Sequence, residues 1–246
     1  MAKLERRSAS HLLQAPPSPG PPTGPPKVTQ RQKSLAKVEI ITLPGLTPYK
    51  EAWSLQRKLL EGVVAKERPE TLILCEHHPV VTLGRNASSE GLLVDESTLR
   101  ARGVELFRVE RGGEATLHLP GQLVAYPILS VRERRLGIRG YITALEETMI
   151  KVAESFGVKG YRIGGKPGVY STAGKIGALG VALSRGVSYH GAALNISPDL
   201  SLFELIVPCG DREIPPSSLT SITGVTQRMG DVRAAFMKTF SDIFRH

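Results

Sequence analysis

The sequence predicts an α+β domain, because its strand-like segments come in runs with few helices between them. Two further observations agree. Helical periodicity is confined to three stretches, and one pair of apolar-rich runs meets at a two-residue connection.

Taken in order, a first strand is expected at Lys37–Leu43. A helix follows at Thr47–Lys66, where Tyr49, Ala52, Trp53, Leu59, Leu60, Val63 and Val64 recur at helical spacing. Strands are expected at Thr71–Glu76, Val80–Leu83, Val104–Val109 and Leu123–Leu129. A second amphipathic helix should span Arg139–Phe156, with Ile142, Leu145, Met149, Val152 and Phe156 on one face and Gly157 as its stop. A last helix is placed at Val232–Phe244 behind Asp231 as N-cap. Gly174–Ser184 and Val187–Ser197, separated by Arg185-Gly186, read as a hairpin. That register sets Ala178 opposite Ala193, Leu179 opposite Ala192 and Gly180 opposite Gly191. Opposed small residues leave room over the sheet, for a packed element or for a slender ligand.

Composition narrows the function classes. The 246 residues are 41% apolar and 22% charged, ordinary for a soluble globular protein. No apolar run approaches the roughly 20 residues of a membrane-spanning helix, and the start lacks a secretory apolar core. A cytoplasmic protein is the expectation. The net charge of +9 is uneven, since residues 1–37 hold seven basic residues and one acid. The remainder, with 25 basic and 22 acidic residues, is only mildly basic, which argues against a nucleic-acid partner. Residues 1–36 also carry seven of the 18 prolines and read as a disordered tail, with an organellar transit peptide as the alternative. Residues 37–246 are then expected to form one folded domain.

Two cysteines occur, without metal-type spacing, so no metal site is expected. Cys75 lies in the apolar strand LILC and reads as a buried small hydrophobe. Cys209, between Pro208 and Gly210, is on a turn that suits an exposed thiol, either inert or nucleophilic. A nucleophile needs help to reach the thiolate, and Lys175 is a candidate, although a lone lysine is more often a surface charge. Arg111-Gly112-Gly113 could hold an anion on bare backbone beside a guanidinium, or be an ordinary turn. His118 and His190 could be ligands or bases, but a lone histidine in an apolar strand is usually structural, and His77 and His78 read as structural too.

Five segments, in order, change these readings: Glu76–Arg85 (EHHPVVTLGR), Arg111–Gln122 (RGGEATLHLPGQ), Lys175–Gly180 (KIGALG), His190–Asn195 (HGAALN) and Pro208–Gly210 (PCG). They resemble the lipoyl(octanoyl) transferase family over roughly residues 38–230. The resemblance implies a fold like the catalytic domain of biotin and lipoate protein ligases, a mixed sheet with flanking helices around an acyl pocket. It implies Cys209 as thioester nucleophile and Lys175 as the base that lowers its pKa. It implies three acyl-substrate segments: Arg111, Gly112, Gly113, Glu114, Ala115, Thr116, Leu117 and His118; then Ala178, Leu179 and Gly180; then Gly191, Ala192 and Ala193. The implied donor is octanoyl-acyl carrier protein. The implied acceptors are lipoyl domains of 2-oxoacid dehydrogenase complexes and the glycine-cleavage H protein, with no cofactor. Leu117 and Leu119 depart from the family pattern, which has an aromatic and a glycine there, so the loop shape is expected to differ. Two rival readings are an ATP-dependent lipoate–protein ligase and a non-catalytic acyl- or partner-binding module on the same fold.

Overall fold

The computed structural model describes residues 38–88, 91–207 and 213–245. Strand β1 (Glu39–Thr47) leads through α1 (Tyr49–Val64) to β2 (Thr71–His77), β3 (Val80–Leu83), α2 (Glu96–Ala101), β4 (Glu105–Arg108), β5 (Ala115–His118) and β6 (Gln122–Ile128). Helix α3 (Gly137–Ser155), strands β7 (Tyr161–Ile163), β8 (Lys166–Ser171), β9 (Gly174–Ser184) and β10 (Val187–Asn195), a 3-10 helix at Leu200–Leu205, α4 (Leu219–Thr223) and α5 (Met229–Ile243) follow.

The strands form a seven-stranded sheet in the order β1-β2-β6-β10-β9-β8-β7 and a three-stranded sheet in the order β4-β3-β5. Both are mixed: β1 runs parallel to β2 and β3 to β4, while β2–β6, β6–β10, β9–β10 and β3–β5 are antiparallel. The expected α+β class with flanking helices is therefore the observed one.

Period-two alternation explains how the large sheet buries both faces. Leu72, Leu74, Leu123, Ala125, Ala192 and Leu194 point to one side, where they pack with Tyr141, Leu145 and Met149 of α3 and Phe236 and Phe240 of α5. Ile73, Cys75, Val124, Tyr126 and Ala193 point to the other, against Tyr49, Ala52, Leu59 and Leu60 of α1. A third cluster under the small sheet joins Val81, Leu83, Leu117 and Leu119 to Phe203 and Leu205. Every residue of β6 is buried, as suits a central strand covered on both sides.

Several boundaries differ from the sequence expectation. The first helix begins at Tyr49, after Pro48, and the chain leaves it at Lys66, which takes φ 61°. The last helix begins at Met229 with Arg228 as N-cap, so Asp231 is not the cap. It lies in the first turn instead, where its carboxylate meets the positive end of the helix. Gly157 does terminate α3: at φ 80° it allows Val158 N–H to donate back to Ala153 O (3.0 Å). The expected tail, residues 1–36, lies outside the described residues.

Candidate active site

The hairpin is the part of the site most directly specified by sequence. Arg185 and Gly186 take φ 50° and 86°, both in the left-handed region that a two-residue hairpin turn requires. The pairing is the expected one: Ala178 with Ala193, Leu179 with Ala192, Gly180 with Gly191. The small residues serve two ends. A Cβ on Gly180 would come within 2.7 Å of Arg111 Cδ, and a Cβ on Gly191 within 2.0 Å of Ala125 O. The two glycines thus admit the packing of neighbouring groups, while the same strip also lines a cavity.

That cavity lies between the hairpin, β5 and the start of α1. Its walls carry Arg111, Gly113, Glu114, Thr116 and His118 from the first expected segment. Ala178–Gly180 and Gly191–Ala193 supply the facing wall, and Tyr49, Tyr126 and His190 complete it. The enclosed room is about 30 Å³, roughly that of one water, so anything larger enters only when lining side chains give way. Three expected residues lie elsewhere. Gly112 borders a larger groove, Ala115 is buried in the third core cluster, and Leu117 lines a second cavity beside Lys175. Leu119 is buried in that same cluster and is not among the residues with positive φ, so the glycine of the family pattern is not required by the loop.

Electrostatically, the cavity holds neutral imidazoles beside one fixed cation. Burial holds His118 well below the usual histidine range, with His77 and Arg111 adding to the effect. Burial likewise lowers His190 to about 4, against the opposing pull of Glu110, whose Oε2 is 3.5 Å from Nε2. His190 takes φ 55°, an unusual conformation for a side chain of this size. The Arg111 guanidinium donates to Thr82 Oγ1 (3.1 and 2.9 Å) and Gly112 O (3.0 Å), so it fastens its own loop to β3. Gly112 N–H in turn donates to Val181 O (2.9 Å), tying the loop to β9.

His77 is structural, as expected, and its tautomer follows from its partners. Nδ1 lies 2.7 Å from Thr47 O, which only accepts, so Nδ1 carries the proton. Burial lowers the ring to about 4, leaving Nε2 as acceptor for the Tyr126 hydroxyl at 2.8 Å. Cys75 is fully buried beside it, and burial pushes its thiol pKa up, as an inert core cysteine requires.

Lys175 opens β9. Its N–H donates to Pro215 O (2.8 Å), its carbonyl accepts from Ser217 N–H (2.9 Å), and Nζ donates to Pro167 O (3.3 Å). The ammonium stands 5.4 Å from the Tyr170 ring centroid. Gly168 makes room for it, since a Cβ there would fall 2.7 Å from Lys175 Cε. The cavity beside Lys175 shares Thr116 and Ala178 with the larger one, so the lysine stands next to the strip of small residues. Cys209 lies outside the described residues; the described chain resumes at Glu213.

Sequence reasoning missed a buried polar network behind these cavities. Gln122 Nε2 donates to Asn195 Oδ1 (2.9 Å) and Leu117 O (3.2 Å), and Asn195 Nδ2 donates to Ser217 O (2.9 Å). This ties β5, β6, β10 and the Lys175 backbone together. The signal was present, since Gln122 and Asn195 end two of the motifs. Glu76, from the first motif, accepts from Gly121 N–H (3.1 Å) and fixes the turn between β5 and β6.

A mixed seven-stranded sheet with flanking helices, a small cavity against the β9–β10 hairpin and Lys175 beside a second one define the architecture. The family model of the lipoyl protein ligase A/B catalytic domain matches residues 48–241, and the chain belongs to that family. It is similar to a protein of Gloeobacter violaceus named octanoyltransferase, 45% identical over 80% of this chain and 88% of that protein. It also resembles in fold the crystal structure of lipoate-protein ligase A bound with ATP, with TM-score 0.67, 20% identity, and 85% of each chain covered. Biotin protein ligase from Aquifex aeolicus in complex with biotin and ATP shares the fold more distantly, with TM-score 0.51, 15% identity, and 84% of this chain and 70% of that one covered. No helix among the described residues is long and apolar enough to cross a membrane.

Proposed function

We propose that this chain is an octanoyltransferase of lipoate assembly, moving an octanoyl group from acyl carrier protein to a lysine of lipoyl domains. The observation that carries the reading is the similarity to octanoyltransferases over most of both chains, with Lys175 next to a cavity of small residues. The acceptors are lipoyl domains of 2-oxoacid dehydrogenase complexes and the glycine-cleavage H protein.

In the first step the Cys209 thiolate attacks the octanoyl thioester carbonyl. The carbon–sulfur bond to the donor breaks, and the leaving thiolate takes the proton that Lys175 removed from Cys209. In the second step the acceptor amine attacks the acyl-cysteine, an amide bond forms, and the Cys209 sulfur leaves. Lys175 relays the amine proton. Because the thioester is already activated, no nucleotide is consumed. Burying each methylene of the chain contributes about 0.8 kcal/mol, which offsets part of the cost of opening the cavity. The neutral state of His118 and His190 fits an apolar occupant.

The competing activity is ATP-dependent ligation of free octanoate. Octanoyl-acyl carrier protein should octanoylate a lipoyl domain without ATP, and octanoate plus ATP should yield neither adenylate nor product. Adenylate formation with no transfer from the thioester would reverse the assignment.

A further inference from the structure

A groove of about 580 Å³ runs along β9 beside the acyl cavity, and it shares Gly113, Glu114, Leu179 and Gly180 with that cavity. It exists because β8 stops pairing with β9 after Gly177. One end lies at Pro167, whose carbonyl accepts from Lys175 Nζ. Arg85 lies toward the other end: its N–H donates to Arg111 O (3.0 Å) and Gly112 N–H donates to Val181 O (2.9 Å), so Arg85 borders the groove beside Val181 and Ala182. Among the described residues the Arg85 guanidinium makes no ion pair, and it is exposed. Ile138, Ile142 and Leu183 form an apolar wall, and Ile138 and Leu183 remain 41% and 42% exposed. Leu179 and Leu183 turn backbone N–H and C=O groups toward the groove with no partner among the described residues, whereas Val181 O is taken by Gly112.

We propose that this groove holds the phosphopantetheine arm of the acyl donor, with the arm's amides along β9 and its phosphate at Arg85. The assignment rests on the transferase reading above. Length supports it: Gly177 to Ala182 is five steps of about 3.3 Å, roughly 17 Å. The arm from thioester sulfur to phosphorus has the chain length of about four to five residues, roughly 15 Å extended. Chemistry supports it as well. Two amides in a flexible chain match unpaired strand groups, the dimethyl-bearing portion matches the isoleucine wall, and the phosphate matches a lone arginine.

The test uses the full chain and octanoyl thioesters of N-acetylcysteamine, pantetheine and 4′-phosphopantetheine. Arg85→Ala should lower kcat/KM for the phosphopantetheine thioester by about tenfold, the scale of one charge-assisted hydrogen bond, and leave the other two donors unchanged. Ile138→Trp, at an exposed position, should erase the advantage of pantetheine over N-acetylcysteamine. Equal losses with all three donors would overturn the assignment. So would an effect confined to transfer onto the lipoyl domain, or a change in preferred acyl length, because the groove would then serve the acceptor or the acyl chain. Wild-type protein inert toward every thioester would instead count against the transferase reading itself.

Discussion

Replacing Gly180 and Gly191 separately by alanine adds the same methyl group to paired positions of one hairpin, yet the outcomes should differ sharply. At Gly191 the new Cβ would meet Ala125 O at 2.0 Å, Ala125 C at 3.1 Å and Pro127 Cδ at 2.9 Å. These are backbone atoms and a rigid ring on the central strand β6, so the strand pair must separate. Overpacking of this kind costs about 3 kcal/mol or more, which corresponds to a melting temperature lower by roughly 6–12 °C for a domain of this size. At Gly180 the nearest atom is Arg111 Cδ at 2.7 Å, on a side chain that can rotate away. The cost there is the loosening of the Arg111 bonds to Thr82 and Gly112, about 1–2 kcal/mol or roughly 2–8 °C. Thermal unfolding followed by far-ultraviolet circular dichroism measures both, with octanoyl transfer assayed alongside. Gly180→Ala should stay folded but lose transfer. If Gly180→Ala proves the less stable of the two, or if Gly191→Ala melts like wild type, the packing account of the hairpin is wrong.

Three further outcomes follow from the buried polar groups. Burial depresses His77 to about 4 against an unfolded value near 6.5, so the unfolded chain binds the proton first as pH falls. Stability from this group is complete above pH 6.5 and is lost between 6.5 and 4, up to about 3 kcal/mol; denaturant titrations should show a flatter acid limb in His77→Gln. Arg134 is buried and donates to Glu70 (Nε to Oε2, 3.0 Å) and to the Phe244 carbonyl. Arg134→Met should therefore destabilise by about 3–5 kcal/mol in urea titrations, the scale for one partner of a buried ion pair left alone. Asn195→Ala removes one of the two acceptors of Gln122 Nε2 and the side-chain donor to Ser217 O, and should cost about 1–3 kcal/mol while slowing octanoyl transfer. Ser217→Ala, which keeps the main-chain carbonyl and loses only the hydroxyl contact with Ser221 (3.2 Å), should cost less and leave transfer unchanged.

Local signals made the hairpin, the long helices and most strands of the large sheet legible in the sequence, because periodicity and a turn at Arg185-Gly186 are short-range properties. Strand β5 was read as loop, since Arg111-Gly112-Gly113 and Pro120-Gly121 flank it closely and only pairing with β3 makes it a strand. Helix α2 was also missed, though Asp95 accepting from Thr98 N–H is an N-cap a sequence can show. In the site, residue type and motif order picked out the two hairpin segments and Lys175. They could not separate Leu117, which faces only the Lys175 cavity, from His118, which faces only the larger one, or show that Thr116 borders both. Tyr49 and Tyr126 reach that cavity only through tertiary packing, so helix and strand periodicity disguised them as core.

The central claim is a covalent acyl-cysteine intermediate on Cys209, and intact mass spectrometry tests it most directly. After mixing with octanoyl-acyl carrier protein, and before any acceptor is added, the wild type should gain one octanoyl mass that hydroxylamine removes. Cys75→Ala should behave likewise, because Cys75 is fully buried and its thiol pKa is raised. Cys209→Ser should gain no such adduct and transfer nothing at the normal rate. Normal transfer by Cys209→Ser, or a stable adduct on any other residue, would contradict the account.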